Sequence, residues 1–120
     1  MKIAIPVDED RKSVCVSFGR APFFMVSDTE TGVTEVHENA AAQAEGGAGL
    51  KAAQIVVDFD TDALITVRCG ENAAKVLQAA EIQIYKNDSM DAMENVEALK
   101  AGKLSLLDHF HAGFHGGHQG

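Results

Sequence analysis

The 120-residue chain is acidic, with a formal net charge of −8, 46% hydrophobic residues and 23% charged residues. This charge argues against a nucleic-acid partner held mainly by phosphate contacts, because the protein's field repels a polyanion. The chain has neither an apolar run of about 20 residues nor an export signal at its start, which predicts a cytoplasmic protein without a membrane span and with Cys15 and Cys69 reduced.

The first part of the chain predicts three short strands. Residues 2–7 form a β-rich run, and Pro6 indicates either an edge position or a strand about to end. After an irregular polar segment, residues 22–28 and 33–38 flank a turn in which Gly32 provides the positive φ of a tight connection. The pattern predicts a β-hairpin.

The remainder alternates helices with strands. Leu50, Ala53 and Val57 at helical spacing predict the first helix, and Ser89 is the predicted N-cap of the last. The predicted helices cover about 47–58, 71–80 and 89–101, and the strands between them 63–67 and 82–85. The order β-β-β-α-β-α-β-α predicts an α/β protein with a mixed five-stranded sheet in an RNase-H-like three-layer fold.

One domain is predicted over residues 1–101, followed by a flexible Gly/His-rich tail over 102–120. Four tail histidines have spacings that a flexible chain can fold around Cu, Zn or Ni. They are His109, His111, His115 and His118. Adventitious metal binding by a disordered tail explains this pattern at least as well.

Several loops are predicted to meet at one edge of the sheet. If the strand at 63–67 lies parallel to the first, then the loop 8–21, the connection 39–46 and the turn 68–70 fall outside the carboxyl ends of the strands, where open α/β sheets bind ligands. Two glycine-preceded helix N-termini add backbone N–H groups there. This edge is therefore predicted to bind a compact anion.

Arginines and thiols supply the chemistry expected at this edge. The chain's three arginines, Arg11, Arg20 and Arg68, all lie in the converging loops. Cys69 adjoins a helix N-terminus, which favours an ionised thiol, and Cys15 lies in the facing loop. We expect an anion held by charge and N–H groups, with one or both thiolates available to a soft metal.

Three stretches carry a family resemblance: SFGRAPFF at 17–24, GGAGLKAA at 46–53 and ITVRCGENA at 65–73. In this order and spacing they resemble the dinitrogenase iron-molybdenum cofactor biosynthesis family, over about residues 1–101. The resemblance implies an RNase-H-like fold that binds, stores or delivers a metal-sulfur cluster, of the molybdenum-copper sulfide or iron-molybdenum-sulfur type, without catalysis. It also implies a protein partner such as a cluster-delivery or ATPase protein.

The predicted cluster-binding residues come from these stretches and their surroundings. They are Cys15, Ser17, Phe18, Gly19, Arg20, Gly46, Gly47, Gly49, Arg68, Cys69, Gly70, Glu71 and Asn72. Cys15, Cys69 and the four tail histidines are the candidate metal ligands. The chain departs from the family at Ser17, where a histidine commonly precedes the Phe-Gly pair, and this puts that histidine's role in doubt here.

Other interpretations remain open. Both cysteines could be small buried hydrophobic residues, and the glycine run 46–49 a flexible helix entry. An enzyme with Cys69 as nucleophile is a second hypothesis, although no histidine lies near either cysteine in sequence. A regulatory or interaction module is a third.

Overall fold

The computed structural model describes residues 1–111, and within them the chain forms five strands and three α-helices. The strands are β1 (Lys2–Val7), β2 (Phe23–Asp28), β3 (Thr34–Glu38), β4 (Ala63–Thr66) and β5 (Gln83–Lys86). The helices are α1 (Ala48–Asp58), α2 (Glu71–Ala79) and α3 (Ala92–Lys100). The predicted order of elements and the α/β class are confirmed.

The sheet is mixed, with strand order β3-β2-β1-β4-β5. The hairpin strands β2 and β3 and the β1–β2 pair are antiparallel, whereas β1–β4 and β4–β5 are parallel. Since β1 is central, Pro6 marks a strand about to end and not an edge. It lies beyond Ile3 and Ala4, the residues that pair with β4, so its missing N–H removes no bond from that ladder.

Helices cover both faces of the sheet, as the three-layer prediction requires. Side chains alternate between the faces along β1, so that Ala4 packs with Phe24 and the helices α1 and α2, while Ile3 and Ile5 pack with α3. All four of these side chains are fully buried. The sheet is thus held between two apolar layers, and the loops at its ends remain available for a site. None of the helices within residues 1–111 has the length and apolar character needed to cross a bilayer.

The start of α3 differs from the prediction. Asp91, not Ser89, is the N-cap, and its carboxylate accepts a hydrogen bond of 3.0 Å from the backbone N–H of Glu94. The Ser89 hydroxyl instead donates to the Glu94 carboxylate, at 2.7 Å. Serine and aspartate both favour the N-cap position. Asp91 immediately precedes the helix, whereas Ser89 lies two residues earlier, in the preceding turn.

The folded part of the chain extends past the predicted boundary at residue 101. We call residues 104–111 the strap. It runs along the free edge of β5, where the N–H of Leu107 donates to Ile84 O at 2.9 Å and the N–H of Lys86 donates to Ser105 O at 2.9 Å. Leu107 is buried, because the strap covers the edge of β5 and the side of α2. Residues 112–120, which include the predicted ligands His115 and His118, lie outside the described residues.

Candidate functional site

A hollow of about 890 Å³ lies at the edge of the sheet where the loops were predicted to meet. Parts of three segments line it, 16–20, 45–50 and 68–73, together with His111 of the strap. The predicted site residues among them are Ser17, Phe18, Gly19, Arg20, Gly46, Gly47, Gly49, Arg68, Gly70 and Asn72. The structure therefore brings the three family-like stretches to one place, and their role in binding stays a prediction.

The first segment touches the start of α1 backbone to backbone. A Cβ at residue 19 would lie 2.7 Å from the amide nitrogen of Gly49 and 2.9 Å from the carbonyl carbon of Ala48, so that only glycine fits at position 19. Gly47, the N-cap of α1, has a φ of 68°, which glycine adopts without strain. These two glycines place the first turn of α1 in the wall of the hollow.

Asn39, which was not among the predicted site residues, holds this loop in place through hydrogen bonds. Its buried side-chain amide donates to Gly19 O at 3.1 Å and to Ala21 O at 2.9 Å. Its amide oxygen accepts from the N–H of Ala41, at 3.0 Å, and so caps a short 3-10 helix over Ala40–Gln43. An asparagine before a run of alanines is an N-cap signal that could have indicated this role.

Arg20 lines the hollow and also holds its rim together. Its guanidinium donates to Ala44 O and, at 3.1 Å, to Ala42 O, while its own N–H donates to the Ser17 hydroxyl at 3.1 Å. Part of its hydrogen-bonding capacity is therefore used within the fold. Its charge remains at the hollow, because the groups it bonds are neutral carbonyls.

Arg68 is the second cation of the hollow. The Thr66 hydroxyl donates to Arg68 O at 3.1 Å and thereby fixes the turn that leads from β4 to α2. Within residues 1–111, neither Arg68 nor Arg20 forms an ion pair with a carboxylate. The one acidic residue that lines the hollow there is Glu45, which is exposed. Arg68 is therefore the more available of the two guanidinium groups.

The prediction that all three arginines gather at the site was wrong for Arg11. Its guanidinium carbon lies 4.6 Å from the ring centroid of Phe23, which packs with the α3 layer on the other face of the sheet. The loop folds back there, since Arg11 N donates to Asp8 O at 2.8 Å and Lys12 O accepts from the N–H of Ala92. A tight turn thus directs Arg11 away from the hollow.

Cys69 does not supply the thiolate that the sequence predicted. Its side chain is 1% exposed, and burial raises the pKa of the thiol from 9.0 to about 12. The thiol donates to Gly70 O at a distance of 3.6 Å. Desolvation outweighs the favourable field of the α2 N-terminus, so Cys69 stays protonated at neutral pH and does not line the hollow.

Cys15 is also absent from the part of the wall formed by residues 1–111. It is partly buried, and its pKa is raised, first by burial and then by a hydrogen bond with Asp8. Glu71 likewise lies outside this wall, in the exposed first turn of α2. The structure therefore places neither thiol at the hollow, contrary to the predicted sulfur ligands.

Of the two tail histidines within residues 1–111, His111 reaches the hollow. Its backbone pairs with the start of α2: His111 O accepts from Glu71 N at 2.8 Å, and His111 N donates to Cys69 O at 3.3 Å. A Cβ at residue 70 would lie 3.2 Å from Cε1 of the imidazole, so the ring occupies the space above Gly70. His109 lies outside this wall, with its side chain 95% exposed.

The hollow suits an anion better than a bare metal ion. Among residues 1–111, no three His, Cys, Asp or Glu side chains come together as a metal site would require. Two guanidinium groups, the glycine-rich first turn of α1 and the buried apolar wall formed by Phe18 and Ala73 surround a space large enough for a compact polyatomic ligand. The donors fit a ligand that brings its own anionic atoms.

Comparisons with known proteins bear on the family and the fold. The family model described as dinitrogenase iron-molybdenum cofactor matches residues 1–102. The apo form of the orange protein from Desulfovibrio gigas is 28% identical, with a TM-score of 0.81, over 88% of this chain and 92% of that chain. No curated protein is significantly similar to the chain in sequence.

Two further solved structures share the fold. A Thermotoga protein of the DUF35 family is 33% identical over 94% of this chain and 98% of its own, with a TM-score of 0.76. A protein from Methanocaldococcus jannaschii is 24% identical over 91% of this chain and 96% of its own, with a TM-score of 0.70, and this likeness shows the fold alone. The resemblance inferred from the three sequence stretches is confirmed.

Proposed function

Because the chain belongs to the dinitrogenase iron-molybdenum cofactor family, we propose that it binds a preformed metal-sulfur cluster in the hollow and stores or delivers it without transforming it. Family membership and the likeness to the orange protein support a function related to a metal cofactor. The proposed cargo is an anionic cluster of the molybdenum-copper sulfide or iron-molybdenum-sulfur type.

The observation that carries this proposal is the meeting of Arg20, Arg68 and the first turn of α1 around one hollow of about 890 Å³. An acidic protein with a net charge of −8 here presents cations and backbone N–H groups to one space. Such groups recognise an anion by charge and hydrogen bonds, and they hold it without a covalent bond.

A rough energy balance favours a multiply charged ligand. Micromolar affinity requires about 8 kcal/mol, whereas a hydrogen bond to a charged group contributes roughly 1.5–3 kcal/mol. The two arginines and the helix amides can supply part of this, and the exposed positions of both arginines reduce their share. A compact cluster with several anionic sulfurs engages all of these donors at once, which a chloride or a single carboxylate does not.

The competing hypothesis of a thiol enzyme has less support. A nucleophilic cysteine needs a thiolate and access to substrate. Cys69 is buried and its pKa is raised to about 12. The described part of the chain therefore favours binding over thiol catalysis.

The proposed carrier would act in the cytoplasm and hand its cluster to a protein partner, such as a cluster-delivery or ATPase protein. Val16 and Leu50, which are 52% and 44% exposed, lie at the hollow and would be covered by such a partner.

Anaerobic reconstitution tests the proposal. The full-length protein is mixed with tetrathiomolybdate and a Cu(I) salt under reducing conditions and then desalted, and molybdenum, copper and protein are quantified. We expect coloured protein with molybdenum and copper in a fixed ratio to protein. A parallel sample with Cu(I) alone reports copper held by the histidines, which carries no molybdenum. Colourless protein without molybdenum would overturn the proposal.

A further inference from the structure

The strap holds His111 in a defined position at the hollow. Leu107 is buried and Phe110 packs against the same apolar cluster beside α2, while the N–H of Leu107 is bonded to Ile84 O. Four residues further on, His111 forms two backbone hydrogen bonds with the residues that flank Gly70. The strap is therefore attached at both ends, and backbone hydrogen bonds contribute to the position of residue 111.

Gly70 provides the seat for the imidazole. Any larger residue there would place a Cβ 3.2 Å from Cε1 of His111, which is tighter than an ordinary contact, so the ring would have to shift slightly. The glycine of the Cys-Gly turn thus allows the ring to lie against the backbone at the wall of the hollow.

Within residues 1–111, His111 is also the histidine that lines the hollow and could supply a nitrogen ligand. Of the residues 1–111 that line the hollow, His111 and Glu45 alone have side chains of the usual metal-binding types His, Cys, Asp and Glu. Both cysteines lie elsewhere, and Cys69 stays protonated. Imidazole suits copper and iron, the metals of the proposed clusters, better than a carboxylate does.

We propose that His111 coordinates a metal of the bound cluster through its imidazole, so that the strap forms one wall of the binding site. This inference rests on the proposed function. The imidazole supplies a lone pair to a copper or iron atom whose remaining ligands are the cluster's sulfides, and it displaces a solvent molecule from that atom. The arginines and helix amides neutralise the cluster, and His111 fixes its orientation.

The strap could instead compete with the cluster for binding groups of the hollow, and the experiment must distinguish this effect from coordination by His111. The carbonyl of His111 accepts from the N–H of Glu71, a first-turn amide of α2 that an anion could otherwise use. If the strap only competed with the cluster, then replacing His111 would leave affinity unchanged or increase it. If His111 is a ligand, its replacement weakens binding.

The test compares two full-length variants. His111→Phe keeps a ring above Gly70 without a ligand nitrogen. The control variant carries His109→Ala, His115→Ala and His118→Ala, so that His111 is the tail histidine retained. Each is titrated anaerobically with Cu(I) and tetrathiomolybdate, circular dichroism checks its fold, and X-ray absorption at the copper edge reports nitrogen ligation.

We expect His111→Phe to bind the cluster at least about 10-fold more weakly, since losing a ligand costs no less than losing a group that orients one, and to lose the imidazole signal at copper. The triple variant should match the wild type in both. Equal or tighter binding by His111→Phe, with binding by the wild type intact, would overturn the inference and leave the proposed function standing. A wild type that takes up no molybdenum would overturn both.

Discussion

Gly19 and Gly49 lie in direct backbone contact, so that a Cβ on the first would approach the amide nitrogen of the second to 2.7 Å. The two residues come from different motifs, 30 positions apart in the sequence. Their contact joins the loop after β1 to the first turn of α1, and it sets the width of the hollow at this point. The Phe-Gly motif and the Gly-rich motif therefore meet in one backbone contact, which leaves no room for a side chain at residue 19.

The substitution Gly19→Ala should destabilise the protein by about 1–3 kcal/mol, because the added methyl meets backbone atoms that cannot rotate away. Urea unfolding measures this change. Gly46→Ala is the matched control: a Cβ there would have no atom within 4 Å, and its stability should stay within about 0.5 kcal/mol of the wild type. Equal stabilities of the two variants would contradict the role assigned to the Gly19–Gly49 contact.

Asn39→Asp should destabilise the loop that carries Ser17 to Arg20. The new carboxylate cannot donate to Gly19 O and Ala21 O, and it places negative charge against both carbonyls. We expect a loss of about 2–3 kcal/mol in urea unfolding at pH 7. Asn72→Asp makes the same chemical change at an exposed position in the first turn of α2, where an anion is tolerated. A similar loss in both variants would show that Asn39 does not anchor the loop.

The sequence predicted the fold well because its signals are local. Alternating apolar residues, the Gly32 turn and helical spacing each report on a few neighbours, and they predicted five strands and three helices in the correct order within residues 1–111. The strap was predicted as part of the tail, since the burial of Leu107 depends on a distant partner, the edge of β5. Composition alone made this segment resemble the Gly/His-rich chain that follows it.

The site was predicted in outline but not in its chemistry. Topology brought the three stretches to one edge, whereas the direction of Arg11 and the burial of Cys69 depend on tertiary packing that sequence spacing does not record. A helix N-terminus lowers a thiol's pKa and burial raises it, and burial dominates at Cys69 because the thiol is enclosed. Asn39 was not identified because its contacts with Gly19 and Ala21 are long-range. His111 was predicted as one of four tail histidines, and its position at the hollow depends on contacts of the same long-range kind.

Arg68→Gln should weaken binding of tetrathiomolybdate and copper by about tenfold, or ~1.4 kcal/mol, because it removes a cation that faces the hollow without an ion-pair partner in the described chain. The salt dependence of affinity should decrease at the same time. Arg11→Gln removes the same charge from a residue that stacks on Phe23, and it should bind like the wild type. An equal loss in both variants would point to net charge and not to the hollow.

Cys69 should make the protein less stable as the pH rises above 9. The folded-state pKa is raised to about 12 from 9.0, so the unfolded chain releases this proton first, which stabilises the unfolded state relative to the native state. The contribution of Cys69 is therefore fully present below about pH 9 and falls by about 1.4 kcal/mol per pH unit up to about pH 12.

Urea unfolding of the wild type and Cys69→Ala at pH 8 and pH 10, under reducing conditions, isolates this effect because other groups titrate in both proteins. The wild type should lose more stability over this interval. If both proteins lost the same free energy of unfolding between pH 8 and pH 10, or if Cys69 were rapidly alkylated in the native protein at pH 8, the thiol would not be buried as described.

Leu107 and Leu106 are adjacent leucines of the strap with opposite environments, 9% and 56% exposed respectively. Leu107→Ala removes a side chain from the apolar cluster beside α2 and should cost about 2 kcal/mol in urea unfolding, whereas Leu106→Ala should cost less than about 0.5 kcal/mol. Amide hydrogen exchange provides a second measurement, since the N–H of Leu107 is bonded to Ile84 O and should be protected in the wild type. If both variants were as stable as the wild type and this amide exchanged freely, the strap would not be attached to β5, and His111 would have no fixed position at the hollow.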